Sequence, residues 1–343
     1  MTEARHSRTN LGKTLLVCAA LFLLLVIVFV IASLIGAQRL SLSGALCALT
    51  GKANCSLSSE ERAILFDIRV PRILLAGAVG TCLAAAGAAY QSLLRNPLAE
   101  PYLLGISNGA AVGTMAALVF FGAYEWSRPV MAFGGAIAAT FLVYRLARGR
   151  AGATPERLIL AGVIVTTFLS SAIVFITTVM DATRIRSFTF WLLGDLSGTT
   201  SSLLTVAFVA AAVGVIALVI NARALNLMML GERDAFDLGV EIGRVRLIVF
   251  AAASLLVGAS VASSGSVGYV GLVVPHLVRL SFGSDNRLVI PAAALAGATF
   301  VIVADTLART VIAPRELPVG AITALIGAPL FVYLLRRGAA AGV

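Results

Sequence analysis

Leu15-Leu-Val-Cys-Ala-Ala-Leu-Phe-Leu-Leu-Leu-Val-Ile-Val-Phe-Val-Ile-Ala-Ser-Leu-Ile35 decides how this chain is read. The run carries no charge over 21 residues. At about 1.5 Å per helical residue it reaches roughly 30 Å, the thickness of a bilayer's hydrocarbon core. A secretory leader has an apolar region of only about 7–15 residues and a small-residue cleavage site. This run is longer, and others like it follow, so it is read as a retained first transmembrane helix.

The rest of the sequence agrees. Hydrophobic residues make up 59% of the 343 and charged residues only 12%. Soluble domains carry about 25% charged residues, so this chain lacks the charge to cover a water-facing surface. That excludes a soluble enzyme and makes lipid its solvent. Ten spans are expected, at about 15–36, 70–92, 101–121, 129–147, 157–180, 200–220, 244–263, 268–281, 288–309 and 318–335. The third opens at Pro101 and is interrupted at Gly105 and Gly109; the eighth is short and Gly-rich. The fold class is all-α and polytopic, a single transmembrane domain over 1–343. The net charge of +10 is not a nucleic-acid patch, because the basic residues sit at the ends of apolar runs.

Lys and Arg set orientation. With the N-terminus inside, inner segments hold 16 of them and outer segments 10. Half of the outer ones lie in or beside the long first outer loop, where the rule weighs least. The expected topology is an inner-membrane protein with both termini cytoplasmic, residues 1–14 forming an N-terminal tail. Cys47 and Cys55 share one polar outer loop and form either a disulfide or two free thiols. Cys18 and Cys82 lie inside apolar runs. No Cys/His spacing suggests a metal site.

The chemistry is sparse. No GxxxxGK[ST] phosphate loop, HExxH, GxSxG or paired-carboxylate site is present. No catalytic residue is expected, and carboxylates are expected only at span ends. A proton-coupled carrier would place ionisable groups at bilayer depth. Their scarcity argues for an energy source outside the chain. Asn96–Gly109 and Ser263–Pro275 are both broken by Gly and Pro. They mark either an inverted repeat around a pathway or merely the abundance of Gly in membrane helices.

Asn226-Leu-Met-Met-Leu-Gly231-Glu232-Arg-Asp-Ala-Phe-Asp-Leu-Gly239 lies between the sixth and seventh spans, on the cytoplasmic side. Gly231 splits it into two short helices. Its apolar residues are too few to span and its acids keep it wet. It suits either docking into a partner's groove or lying on lipid, where the acidic charge would meet an anionic leaflet. On the outer side, Arg69-Val-Pro-Arg72 opens the second span and Arg309 closes the ninth. They are snorkelling anchors or docking points for a partner's carboxylates.

Arg69-Val-Pro-Arg72, Asn96-Pro-Leu-Ala-Glu-Pro101, Gly105-Ile-Ser-Asn-Gly109, Gly265-Ser-Val-Gly-Tyr-Val-Gly-Leu-Val-Val-Pro-His276 and Glu316-Leu-Pro-Val-Gly320 together resemble the FecCD-type permeases. These are the membrane subunits of ABC importers for iron-siderophores, haem and vitamin B12. The resemblance runs from about residue 10 to 337. It implies a type II importer fold with ten spans and a homodimer. Its partners would be two cytoplasmic ATPase subunits, which bind the ATP and Mg, and a periplasmic or lipid-anchored binding protein.

The resemblance also carries site residues. It assigns Arg69, Arg72 and Arg309 to docking of the binding protein. Residues 225–240 become coupling helices that meet the ATPase through Leu227, Leu230, Gly231, Glu232, Arg233, Ala235, Phe236, Leu238 and Gly239. Asn96 and Leu98 become the cytoplasmic gate. Thr166, Thr167, Ser170 and Ser171, at four-residue spacing on the fifth span, either line a passage or pack between helices. Arg184 and Arg186 either meet an anionic substrate or anchor a helix end. The cargo expected is an iron complex, with cobalamin as the alternative. A stand-alone secondary transporter or a membrane-embedded enzyme is disfavoured by the missing midplane charge and catalytic groups.

Overall fold

The computed structural model describes residues 11–36, 38, 41–49, 57–121, 124, 126–149 and 152–340. Along the chain, α1 (Leu11–Leu34) is followed by the short α2 (Leu42–Leu49) and α3 (Ser59–Ala63). A wide helical turn over Ile64–Arg69 then leads without a break into α4 (Val70–Leu93). Next come α5 (Ile106–Phe120), α6 (Ser127–Ala147), α7 (Pro155–Val179), α8 (Ala182–Leu192) and α9 (Ser201–Ile220). The pair α10 (Ala222–Leu230) and α11 (Glu232–Asp237) precedes α12 (Ile242–Ser264), α13 (Val270–Phe282), α14 (Asn286–Thr310) and α15 (Val319–Ala340). Among the described residues, seven helices are long and apolar enough to cross a membrane, and three shorter apolar ones are α5, α13 and the Val319–Leu334 part of α15. Together they fall on the ten expected spans, one for one.

Local chemistry sets the boundaries. Thr154, Asp181, Thr200 and Asp285 each accept a backbone N–H of the first turn that follows, at the starts of α7, α8, α9 and α14. Helix N-termini leave such donors unpaired, and short oxygen-bearing side chains fill the need. Two boundaries differ from expectation. The second span starts earlier, because the helical path runs back to Ser59. The third starts later, because Pro101–Leu104 form a tight 3-10 turn and Gly105 takes φ +76°.

The core is built around α4, which packs along α14, α12, α13 and α9. Between α4 and α14 the approach is backbone to backbone. A Cβ on Gly80 would strike the Gly297 carbonyl, and one on Gly297 would strike Gly80 and Ala84. Small residues let membrane helices close to this distance, where dispersion and backbone contacts replace the hydrophobic effect. The pair α5–α6 forms a second unit, and α7 lies against it at the edge.

The two Gly/Pro-broken stretches meet. The Tyr102 hydroxyl donates to the Val267 carbonyl and accepts from the Val267 N–H, both at 3.0 Å. Glu100 accepts from the Tyr269 N–H at 3.1 Å, at the start of α13. The non-helical backbone here is thus satisfied inside the protein, as membrane depth requires. Cys47 is disulfide-bonded; Cys55, its expected partner, lies outside the described residues.

Candidate functional site

Polar side chains gather at the two ends of the α4–α14 pair, here named the Arg72 end and the Gly231 end. At the Arg72 end, Asp305 is fully buried and sits between two arginines. Arg72 Nη2 lies 3.0 Å from Asp305 Oδ1, and Arg72 Nε donates to the same oxygen at 3.0 Å. Arg309 Nε lies 3.0 Å from Asp305 Oδ2, one helical turn along α14, but off the line for a hydrogen bond. Arg72 Nη1 donates to Glu316 Oε2 at 2.7 Å, and that carboxylate is half exposed. Two cations and two anions therefore balance. Arg69 turns the other way and caps the end of α1, donating to the carbonyls of Ser33 (3.2 Å), Leu34 (3.3 Å) and Gln38.

All three arginines singled out for docking are thus buried, at 4%, 7% and 6% exposure for Arg69, Arg72 and Arg309. Arg309 stands at the end of α14 as expected, whereas the helical path carrying Arg69 and Arg72 runs back to Ser59; in both places the guanidinium groups point into the chain's own carbonyls and carboxylates. Asp305 lies in the last turns of α14, at a span end as expected, but it is buried there. The spacing Asp305-x3-Arg309 signalled the first pair. Nothing signalled Arg72, 233 residues away.

At the Gly231 end, α10 and α11 are separated by Gly231 at φ +156°, a region that side-chain-bearing residues seldom occupy. Leu230, Phe236 and Leu238 are exposed, and so are Arg233, Asp234, Asp237 and Gly239. Leu227 and Ala235 instead face inward: Ala235 is buried and Leu227 packs on the core. Glu232 ties the segment down. Its carboxylate lies 2.6 Å from Arg246 of α12 and 3.8 Å from Arg95, just beyond α4. Arg246 in turn donates to the Ala153 carbonyl. The result is a short platform with an apolar, acid-fringed outer face. Nearby, Asn96 Oδ1 accepts from the Leu98 N–H at 2.9 Å, fixing the turn that follows α4 and leaving Leu98 exposed.

The third feature is the free flank of α7. Val163, Ile164, Phe168, Val174 and Phe175 are exposed along it. The four hydroxyl residues divide between two faces. Asn108 Nδ2 donates to the Thr166 backbone carbonyl (3.0 Å) and to Ser170 Oγ (2.8 Å), and the Thr166 hydroxyl donates to the Leu103 carbonyl (3.4 Å). Thr167 and Ser171 stay on the open flank, their hydroxyls bonded back to Val163 and Thr167 carbonyls. Beyond α7, Arg184 pairs with Asp181 at 3.1 Å and Arg186 lies 5.9 Å over the Phe190 ring, both exposed on α8.

Comparison with known proteins bears on this arrangement. The signature of the FecCD transport family matches residues 24–337. The hemin transport system permease protein HmuU of Yersinia pestis is 41% identical over 291 residues, covering 83% of this chain and 86% of that protein. The cobalamin import system permease protein BtuC of Halobacterium salinarum is 42% identical over 273 residues, covering 80% and 73%. A solved inward-facing structure assigned to a metal-chelate type ABC transporter shares 32% identity and superposes with a TM-score of 0.83, covering 93% of this chain and 98% of its own. This multi-pass chain belongs to the FecCD transport family, the membrane permeases of ABC importers.

Proposed function

We propose that two copies of this chain form the inner-membrane pathway of an importer for a bulky iron complex, haem or a siderophore. The observation that carries the substrate class is 41% identity to a hemin permease over more than four fifths of both chains. The 42% identity to a cobalamin permease, over a smaller share of both chains, supports cobalamin as the second reading. The Arg72 end faces outward and the Gly231 end and both termini face the cytoplasm, in keeping with the Lys/Arg distribution.

In this reading the chain performs no catalysis. ATP and Mg are bound by two partner ATPases seated on the exposed face of α10–α11, where Leu230, Phe236 and Leu238 offer anchors. Closure and opening of those subunits rock the dimer between outward and inward states. A binding protein delivers cargo at the Arg72 end. Because Asp305 already balances the charge of Arg72 and Arg309 jointly with Glu316, docking there begins at the exposed Glu316 and draws on a preset, nearly neutral cluster. Asn96 and Leu98 close the cytoplasmic end.

The open flank of α7 faces the dimer axis. Its Thr167 and Ser171 hydroxyls are spent on the helix's own carbonyls, which leaves aliphatic chains and the Phe168 and Phe175 rings as the wall. Such a wall offers a large chelate passage without a charge to hold it. Arg184 and Arg186 stand near the mouth, placed to attract an anionic cargo such as one bearing propionates.

The test is to purify the binding protein that associates with this permease and identify its bound ligand by mass spectrometry. A haem or ferric siderophore is expected. Cobalamin would move the assignment to the second reading, and a ligand without a metal would overturn both.

A further inference from the structure

One polar cluster is used by none of these roles. It lies at the Gly231 end, between α10 and the first residues of α14. Asn226 on α10 grips two consecutive residues there with both halves of its amide. Its Oδ1 accepts from the Asn286 N–H at 2.8 Å, and its Nδ2 donates to Asp285 Oδ1 at 2.6 Å. Asn286, which is fully buried, continues the chain of contacts. Its Oδ1 accepts from Ser92 Oγ of α4 at 2.7 Å and from Arg279 Nη2 of α13 at 3.0 Å. Arg279 Nη2 also reaches Ser92 Oγ (2.7 Å) and the Ala88 carbonyl (3.0 Å). Asn286 Nδ2 points to Met229 Sδ, back on α10, at 3.4 Å. One cluster therefore fastens α10 to α14, α4 and α13 together.

Simple stability does not call for this. A buried amide with every bond made contributes little more than an apolar side chain of the same volume. Polar networks of this kind are better suited to fixing a unique geometry. The geometry fixed here is mechanical. Beyond the cluster, α4 and α14 are locked by the Gly80–Gly297 approach, which leaves no room for sliding. The same α14 ends, at its far side, in Asp305 and Arg309. The other half of the platform, α11, is held separately through Glu232 to Arg246 and Arg95. Of the exposed apolar anchors, Leu230 lies between the two tethers, and Phe236 and Leu238 follow the second.

We propose that Asn226 and Asn286 are positioning residues forming a latch that stays closed through the transport cycle. It converts displacement of α10–α11 into movement of the α4–α13–α14 unit. This rests on the reading that α10–α11 is the ATPase contact, and the experiment separates the two claims.

The variants are measured in the assembled importer, in vesicles, as cargo taken up per ATP hydrolysed. Asn226→Ala should keep the ATPase bound but lower uptake per ATP by about tenfold, within the usual range of coupling between sites. Asn226→Asp, which sets two carboxylates against each other, should do at least as much. Adding Asp285→Asn to it removes the repulsion and sets an amide donor opposite a carboxylate acceptor with the roles reversed, at the cost of the Asp285–Arg287 pair. That double variant should recover most of the coupling, which a merely bulky or charged defect would not. Asn226→Cys with Asn286→Cys, joined by a short crosslinker, should leave uptake intact. Normal uptake per ATP in both single variants, failure of the reciprocal pair to rescue, loss of the ATPase from Asn226→Ala, or a crosslink that blocks uptake would each overturn the latch. Phe236→Asp tests the underlying reading alone: if the ATPase still co-purifies with it, the contact lies elsewhere.

Discussion

Helices α4 and α7 are nearly equal in length and opposite in fate. The span containing α4 has a mean hydropathy of 1.8 and is 83% buried, whereas α7 has 2.4 and is 17% buried. The first helix, α1, is more apolar still at 3.5 and only 11% buried. In water the more hydrophobic helix would be the inner one. In lipid the order inverts, because burial no longer follows from escaping solvent. What places α4 at the centre is smallness: Gly80, Ala84, Ala85, Ala86 and Gly87 let neighbours approach to backbone contact. What leaves α7 at the edge is its flank of Phe168, Val174 and Phe175, which only lipid or a second copy can cover.

The largest effect should come from breaking that contrast at its tightest point. Gly80→Leu drives a side chain into the Gly297 backbone, which cannot yield. Overpacking usually costs about 1–3 kcal/mol, and more where backbone must move. The expected result is loss of monodisperse protein in size-exclusion chromatography. Val163→Leu on the α7 flank should leave the elution profile unchanged. Equal behaviour of the two variants would mean that α4 is not the closely packed centre.

Next in size is Asp305→Asn, which leaves Arg72 and Arg309 buried without their shared anion. Removing one partner of a buried pair costs on the order of 3–5 kcal/mol. Thermal unfolding in detergent should shift down markedly, while Glu316→Gln, at a half-exposed carboxylate, should shift it little. If both shift alike, the cluster is not organised around Asp305. Binding-protein affinity of the same two variants tells whether this cluster or another surface is the docking point. Glu316→Gln should change the association rate and its salt dependence.

Much of this was legible beforehand, and the rest for identifiable reasons. Apolar run length in a chain with 12% charge gave all ten spans. Gly231 and the wet apolar residues around it gave the two short helices, starting three residues earlier than expected. Arg69, Arg72 and Arg309 were located correctly along the spans, but their orientation was not readable. Arg72 finds Asp305 only because α4 and α14 pack side by side, and no local pattern encodes that. Likewise Thr166 and Ser170 separated from Thr167 and Ser171 because the Leu103 carbonyl takes the first hydroxyl and Asn108 the second. The meeting of Glu100 and Tyr102 with Val267 and Tyr269 was visible only as two broken stretches, with nothing to say that they touch.

A smaller effect sharpens the α7 side of the comparison. Thr167→Cys and Ser171→Cys, on the open flank, should crosslink between two copies in the membrane and leave folding unaffected. Thr166→Cys, turned to Leu103 and Asn108, should crosslink far less. Equal yields would remove α7 from the dimer axis. The smallest effect is expected at the mouth. Arg184→Gln with Arg186→Gln should slow uptake a few-fold, with the order of a surface electrostatic contribution. Unchanged uptake would leave those arginines as anchors.

The most direct test is reconstitution with each component present or omitted. Vesicles carrying this permease and its ATPase, loaded with ATP and Mg and supplied outside with the binding protein, should accumulate a metal chelate. Omission of ATP, the ATPase or the binding protein should abolish accumulation, and the permease alone should hydrolyse no ATP. Accumulation driven by an ion gradient through the permease alone, or ATP hydrolysis by the pure permease, would contradict its place as the passive pathway of an ABC importer.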